Sequence, residues 1–380
     1  MGCCRLLICW LGVFLATGVL AQADPGEPAA LQVSECLAAL PLSEPALDRY
    51  ARQLAGLADG KGADVLAGHA AQLERAFVRI DGVQLSRIRH WSAQALPLAV
   101  HAAEVVYYPF SGPDVLYVAA LFPNARQMLF TGLEPVGAPP SDADFSSPAL
   151  ASSLSELRHS LATLLGRSFF VTAQMQQQFA RNRFRGVTPI LMLLLARSGF
   201  EIDSVTGLRL NLDGRLCARE FGALIDQAGV DIRYRRTGES VLRSLIYLRV
   251  DLSDDGLQAM PGYAPFVGQM GVQASYLKSA SYLLHTPQFG RIRNLLLEVS
   301  PALLEDDSGI PFRYFPSVQW DPLFFGQYQS AAEGFGGHTQ PDLRRAFAAA
   351  APAPLPFWIG YRHSKADSNL QLYLRRPLAR

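Results

Sequence analysis

The chain has 380 residues, of which 49% are hydrophobic and 10% aromatic, and its net charge at neutral pH is +1. This composition supports a well-filled globular core and excludes an intrinsically disordered chain. Because the chain is nearly neutral, it has no general electrostatic attraction to nucleic acid, and we expect no nucleic-acid partner.

The first 23 residues are predicted to be a signal peptide. Arg5 supplies a positive charge, residues 6–20 are apolar, and "AQA" at 21–23 has the small residues that precede a cleavage site. The apolar run is shorter than the ~20 residues that a membrane-spanning helix needs. We therefore expect cleavage after Ala23 and a periplasmic or secreted protein without a membrane span. The alternative is an uncleaved anchor.

Residues 24–98 are predicted to form a helical segment that caps the following domain. Leu47, Tyr50, Leu54 and Leu57 recur at helical spacing in "EPALDRYARQLAGL", and "ADVLAGHAAQLERAFVRI" predicts a second helix. The remaining residues, 99–380, are expected to form one α/β domain.

The domain is predicted to begin with a strand, a helix and a second, parallel strand. "AEVVYYPF" is rich in β-branched and aromatic residues, "VLYVAALF" predicts a helix, and "RQMLFTGLE" predicts the next strand. A strand–helix–strand unit of this kind makes its two strands parallel neighbours in a sheet.

Later segments predict further strands and helices. We expect a strand pair around Gly207, two strands about a "TGES" turn at 237–240, and a C-terminal antiparallel hairpin formed by "PFWIGYR" and "NLQLYLRR". Alternating strands and helices predict an α/β fold with a mostly parallel sheet and flanking helices.

Four motifs in order resemble an uncharacterised family of bacterial envelope proteins: "YYPFSGPD", "GLEPVG", "SYLKSASYLLH" and "DDSGIPFRYF". The resemblance covers residues from about 100 to the C-terminus. It implies a location in the cell envelope, and it implies no chemistry, since that family has no assigned activity.

The order of elements also resembles, more loosely, the Rossmann-like fold of class I methyltransferases. That resemblance places Ser111, Gly112 and Asp114 in the loop after the first strand, and Glu134 where an acid holds ribose hydroxyls. "PFSGPD" departs from the pattern, since it has one glycine where the family has two or three.

The "SGPD" turn is the first candidate site, because ligands of open α/β sheets bind at the carboxyl ends of parallel strands. Ser111 and Asp114 are candidates to bind hydroxyl groups, or alternatively cap the following helix. Glu134 is a candidate to accept hydrogen bonds from a polyol, or is a solvated turn residue. If Asp114 and Glu134 face each other, they form a carboxylate pair suited to acid–base chemistry.

Lys278 is the third candidate catalytic residue. If its segment is helical, Lys278, Tyr282 and His285 share one face, and a partly buried lysine can act as a base or bind an anion. The alternatives are a strand end, or a lysine that extends along an amphipathic helix. We include Tyr108, Tyr282 and His285 among the candidate ligand-binding residues.

Two cysteines, Cys36 and Cys217, remain after removal of the signal peptide. They form either one disulfide or two free thiols, and two cysteines are too few for a structural zinc site. The sequence has no H-E-x-x-H motif, no G-x-S-x-G elbow and no P-loop, and it identifies no metal or cofactor.

These observations leave four functions open. The first is an exported protein that binds a polar small molecule or a cell-envelope glycan. The second is an envelope hydrolase or transferase that uses Asp114 or Glu134 together with Lys278. The third is a nucleotide-cofactor transferase, which the predicted export and the missing glycines disfavour. The fourth is a non-catalytic structural or partner-binding protein.

Overall fold

The computed structural model describes residues 45–58, 64–167, 183–221 and 228–377. These ranges all belong to one unit of the chain, Val33–Arg380. The predicted signal peptide and Cys36 lie outside the described residues.

Helices flank the sheet, and the N-terminal part of the described chain is helical. In the described ranges they are α1 (Pro45–Leu54), α2 (Asp64–Ile80), α3 (Ser86–Ala95), α4 (Leu98–His101), α5 (Val115–Leu121), α6 (Asp142–Phe145), α7 (Leu150–Arg167), α8 (Thr188–Arg197), α9 (Asp254–Ala259), α10 (Tyr263–Gln269), α11 (Gly290–Val299) and α12 (Pro341–Ala350). None of these helices is long and apolar enough to cross a membrane.

The described strands form one mixed sheet. They are β1 (Val105–Pro109), β2 (Gln127–Gly132), β3 (Phe200–Leu210), β4 (Leu216–Arg219), β5 (Gly229–Arg236), β6 (Arg243–Arg249), β7 (Ala274–Leu277), β8 (Ala302–Glu305), β9 (Trp320–Gly326) and β10 (Asn369–Arg375). Their order across the sheet is β4-β3-β5-β6-β2-β1-β7-β8-β10-β9.

The centre of the sheet is parallel. Strands β6, β2, β1, β7 and β8 pair in parallel, and all five residues of β1 are buried. The predicted β1–α5–β2 unit is confirmed, with Tyr107 opposite Leu129 in register. Because these five strands run in one direction, the residues that follow them meet at one edge of the sheet.

Both flanks of the sheet are antiparallel, which corrects the prediction of a mostly parallel sheet. On one side β6 pairs with β5, β5 with β3 and β3 with β4. The predicted turn at Gly207 is wrong, because β3 continues through this residue and the chain turns at residues 211–215.

On the other side of the sheet, β10 pairs with β8 and β9, both antiparallel. The predicted antiparallel pair at the C-terminus is confirmed, but "PFWIGYR" is not its partner strand. Phe357 and Ile359 of that segment instead bury their side chains in the main hydrophobic cluster, and the segment forms no strand.

The N-terminal helices pack on the α/β part and share its core. Helix α1 contacts α8 and β3, and Ala51 and Leu54 of α1 are fully buried in the main cluster. The ring of Trp91 in α3 meets Phe325 and Phe357 edge-on at 5.0 and 5.4 Å between ring centroids.

Candidate functional site

Asp114 and Lys278 form a buried ion pair at the carboxyl edge of the parallel strands. Asp114 begins α5 after β1, Lys278 directly follows β7, and each side chain is 2% exposed. Tyr108 donates a hydrogen bond to Asp114 Oδ2 over 3.3 Å, and the Lys278 ammonium lies 4.0 Å from the centre of the Tyr117 ring. Burial raises the pKa of the Asp114 carboxyl, and the Lys278 charge opposes that rise.

The main contact of Asp114 is this ion pair, whereas the alternative prediction was that Asp114 caps the following helix. Asp114 stands at the N-cap position of α5 without a capping hydrogen bond of good geometry, although the Tyr117 amide in the first turn acts on the carboxylate and lowers its pKa. The carboxylate instead turns towards β7, because strand order places the end of that strand beside it.

Lys278 does not lie on a helix with Tyr282 and His285. It ends the strand segment, Ser279 has a positive φ of 65°, and a short 3₁₀ helix follows at Ala280–His285. Because the backbone changes direction at Ser279, Lys278 has different partners from Tyr282 and His285. The prediction that the three residues share one helical face is therefore wrong, and the alternative that Lys278 lies at the end of a strand is correct.

Tyr282 and His285 lie in an aromatic cluster beyond β7. Tyr282 donates a hydrogen bond to Asp307 Oδ2 over 2.5 Å, and its ring stacks on Phe335 with centroids 4.4 Å apart. His285 meets the Tyr282 ring edge-on at 5.3 Å, and burial lowers the pKa of His285 to about 4. Both residues are therefore held by neighbouring side chains.

The acidic turn after β8 is an internal hydrogen-bonded network. Asp307 accepts hydrogen bonds from Arg362 and Asn369, each over 2.9 Å. Asp306 accepts them from the amides of Ser279 and Ser308. Burial and the neighbouring Asp307 charge raise the pKa of Asp306 to about 6.

Ser111 joins the ends of β1 and β2. Its amide donates to the Thr131 carbonyl oxygen over 3.0 Å, and its Oγ accepts from the Thr131 amide over 3.1 Å. These bonds fix the start of the "SGPD" turn. They also engage the Ser111 hydroxyl, which was a candidate to bind a hydroxyl group of a ligand.

Glu134 faces the same turn from the end of β2. It is 2% exposed, and the Tyr247 hydroxyl is 3.1 Å from both its Oε2 and its backbone oxygen. Gly112 has a φ of +52°, and a Cβ atom on Gly112 would lie 3.7 Å from Glu134 Oε1. Oε1 accepts no hydrogen bond from the residues that the structure describes.

A cavity of about 100 Å³ opens beside Glu134. Its lining comes from the ends of β1, β2 and β6 and from the segment after β7: Phe110, Gly112, Gly132, Leu133, Glu134, Val250, Asp251, Leu252, Ala280, Leu283 and Phe289. Asp114, Lys278, Tyr108, Tyr282 and His285 are not among the lining residues. Of the predicted site residues, the cavity thus brings together only Glu134 and Gly112.

Comparison with protein families, with curated proteins and with solved structures finds no match for this chain. The chemistry of the cavity therefore has to follow from its own residues. In the described ranges no group of three or more His, Cys, Asp or Glu residues could hold a metal ion.

Tyr247 and Asp251, which come from β6 and the turn after it, are not among the residues that the sequence predicts for a site. The available pattern was the "SLIYLRVD" strand ending in an acid, which parallels "MLFTGLE" ending in Glu134. Its significance depends on β6 lying beside β2, and that adjacency is a property of the sheet order.

Cys217 is buried and disulfide-bonded. Because Cys36 lies outside the described residues, the pairing of Cys36 with Cys217 stays a prediction.

Proposed function

We propose that this protein binds a small polar molecule bearing hydroxyl groups, such as a sugar or a cell-envelope glycan, in the cavity beside Glu134. The observation that carries the proposal is the unpaired Oε1 of a carboxylate that is 2% exposed. This oxygen belongs to a residue that lines the cavity, so it is free to accept a hydrogen bond from a ligand hydroxyl, while the rest of the buried carboxylate is held by Tyr247.

The sheet supports this location for a ligand. Numbered along the chain, the five parallel strands lie in the order third, second, first, fourth and fifth, which is the order of the doubly wound Rossmann fold. We propose that the domain is Rossmann-like. In such sheets ligands bind outside the carboxyl ends of the strands. The cavity lies at that edge, beside the point where the order reverses.

The predicted export of the chain fits a ligand from the cell envelope, and we retain a periplasmic or secreted location as part of the proposal. The enzymatic alternative uses Asp114 or Glu134 as acid or base and Lys278 to stabilise charge, and it requires these side chains to reach a substrate. Glu134 lines the cavity, but Asp114 and Lys278 do not. Their mutual ion pair and 2% exposure favour a structural role for them instead.

Thermal shift and calorimetry on the mature protein, with a panel of sugars and muropeptides, test the proposal. A ligand at 100 times its dissociation constant stabilises the folded state by about 2.7 kcal/mol. S-adenosylmethionine belongs in the panel, because stabilisation by it alone would favour a nucleotide-cofactor transferase.

A cavity-filling variant locates the binding. Ala280→Leu adds a side chain to the cavity wall and should abolish ligand-induced stabilisation, whereas Ala264→Leu on the exposed surface of α10 should leave it unchanged. Equal stabilisation of both variants would place the ligand elsewhere.

A further inference from the structure

The charges that line the cavity beside Glu134 have one sign. Glu134 and Asp251 carry carboxylates, and the described lining residues include no lysine, arginine or histidine. The other walls are glycines and apolar side chains such as Leu283 and Phe289. A ligand in this cavity meets negative charge and no positively charged donor.

Two neighbouring cations do not offset this charge. Lys278 is paired with Asp114. Arg249 donates from Nε to the Leu133 carbonyl oxygen over 3.2 Å, but it is exposed, as Asp251 is, so water screens both charges and the buried Glu134 carboxylate dominates at the cavity.

We propose that the ligand carries an ammonium group together with its hydroxyls, which makes an amino sugar the class that best fits the cavity. This inference rests on the proposed function and adds the sign of the ligand's charge. An ammonium donates to Glu134 Oε1 as a hydroxyl does, and it also gains Coulomb energy from this buried carboxylate.

The aromatic walls favour the same ligand. The rings of Phe110 and Phe289 lie 6.0 Å apart at the cavity. Aromatic faces attract cations, so a ring face that lines the cavity favours an ammonium over an anion. A carboxylate or phosphate would meet the buried Glu134 carboxylate and find no charged donor among the lining residues, and we expect it to be excluded.

Four sugars built on one pyranose ring, one cationic, one anionic and two neutral, provide the test. By calorimetry, glucosamine should bind about tenfold or more tightly than glucose, and glucuronate should give no measurable binding. N-acetylglucosamine carries a neutral amide at the carbon where glucosamine carries its ammonium. Its affinity should therefore be similar to that of glucose. Added sodium chloride should weaken binding of glucosamine and leave that of glucose unchanged.

Variants connect the preference to the named carboxylate. Glu134→Gln keeps the size of the side chain and should abolish the preference for glucosamine over glucose. The exposed Asp255→Asn, close by in α9 but outside the cavity, should keep it. Unfolding midpoints without ligand establish that both variants are folded.

The outcomes separate the two proposals. Equal affinities for glucosamine and glucose, or tighter binding of glucuronate, would overturn the inference about charge and leave sugar binding intact. Failure of all four sugars to bind the wild-type protein would overturn the proposed function and this inference with it.

Discussion

The ammonium of Lys278 and the carboxylate of Asp114 pair across the ends of β7 and β1, the two strands at which the order of the parallel sheet reverses. Both side chains are almost fully buried, and Tyr108 and Tyr117 enclose the pair. The position where a doubly wound sheet often accepts a ligand is therefore closed by protein side chains, and the cavity lies to one side of it, at β1, β2 and β6.

Removing one partner of this pair should destabilise the fold strongly. Lys278→Met leaves a buried carboxylate without its counter-charge, and we expect a loss of about 3–5 kcal/mol in the free energy of unfolding. The double variant Asp114→Leu/Lys278→Met leaves no buried charge at the site and should recover much of that loss. Equilibrium denaturation in urea measures both.

The exposed pair Arg376–Asp321 is the control, since each of its side chains is about half exposed to solvent. Arg376→Met should cost at most about 1 kcal/mol. A similarly small effect of Lys278→Met would contradict a buried, structurally important pair.

Local patterns predicted the β1–α5–β2 unit, because each of its segments has a clear periodicity and the connections are short. They also identified Asp114 and Lys278 as candidate catalytic residues. They could not predict that these two residues, 164 positions apart in the chain, pair with each other. That contact depends on β7 inserting beside β1, and the order of strands is set by the packing of the whole sheet.

The partner of the C-terminal strand β10 also could not be predicted from local patterns. The sequence predicted that Leu372 and its neighbours form an antiparallel strand, but the nearest apolar segment was the wrong partner. Residues 320–326 pair with β10 instead, although Pro322 interrupts their strand pattern. An edge strand tolerates a proline, because one side of its backbone needs no partner in the sheet.

Gly360 should not accept a side chain. Its φ is +63°, and an added Cβ would lie within 1.9 Å of Asp306 Oδ2. We expect Gly360→Ala to destabilise the protein by roughly 2 kcal/mol or more, from backbone strain and the displaced carboxylate. Gly336→Ala is the matched control, since nothing lies within 4 Å of its Cβ position. Similar melting temperatures for the two variants would rule out the tight contact.

Asp306 should make stability depend on pH. Its pKa in the folded state is about 6, against an ordinary value of 3.8, so the folded protein binds this proton more tightly than the unfolded chain does. The contribution of Asp306 is favourable below about pH 4 and is lost as the pH rises through 6.

The variant Asp306→Asn removes that dependence. Between pH 4 and 7 the free energy of unfolding of the wild type should fall relative to the variant by about 2 kcal/mol. Guanidinium denaturation at several pH values measures the difference. The exposed Asp367→Asn should show no such trend, and parallel curves for Asp306→Asn and the wild type would show that the raised pKa is wrong.

The disulfide of Cys217 should stabilise the folded chain. Reduction should lower the free energy of unfolding by about 2–5 kcal/mol in the wild type and should have no effect on Cys217→Ser. Peptide mapping without reductant identifies the partner cysteine, and a fragment joining Cys217 to any cysteine other than Cys36 would refute the predicted pairing.

Tyr247 should position the Glu134 carboxylate for ligand binding. Its hydroxyl lies between Glu134 Oε2 and the Glu134 backbone oxygen, and burial together with the Glu134 charge keeps its pKa high, so it remains a donor. Tyr247→Phe removes this donor and allows the carboxylate to turn away from the cavity. We expect the affinity for glucosamine to fall about tenfold or more, with a loss of stability of about 1–3 kcal/mol.

Tyr234→Phe is the control that separates positioning of Glu134 from the general loss of a buried tyrosine hydroxyl. Tyr234 is also a fully buried tyrosine, in the adjacent strand β5, and its hydroxyl makes no hydrogen bond among the described residues. Loss of that hydroxyl should leave ligand affinity unchanged. If Tyr247→Phe lowers stability but binds glucosamine as tightly as the wild type, then Tyr247 supports the fold alone and Glu134 is oriented by other contacts.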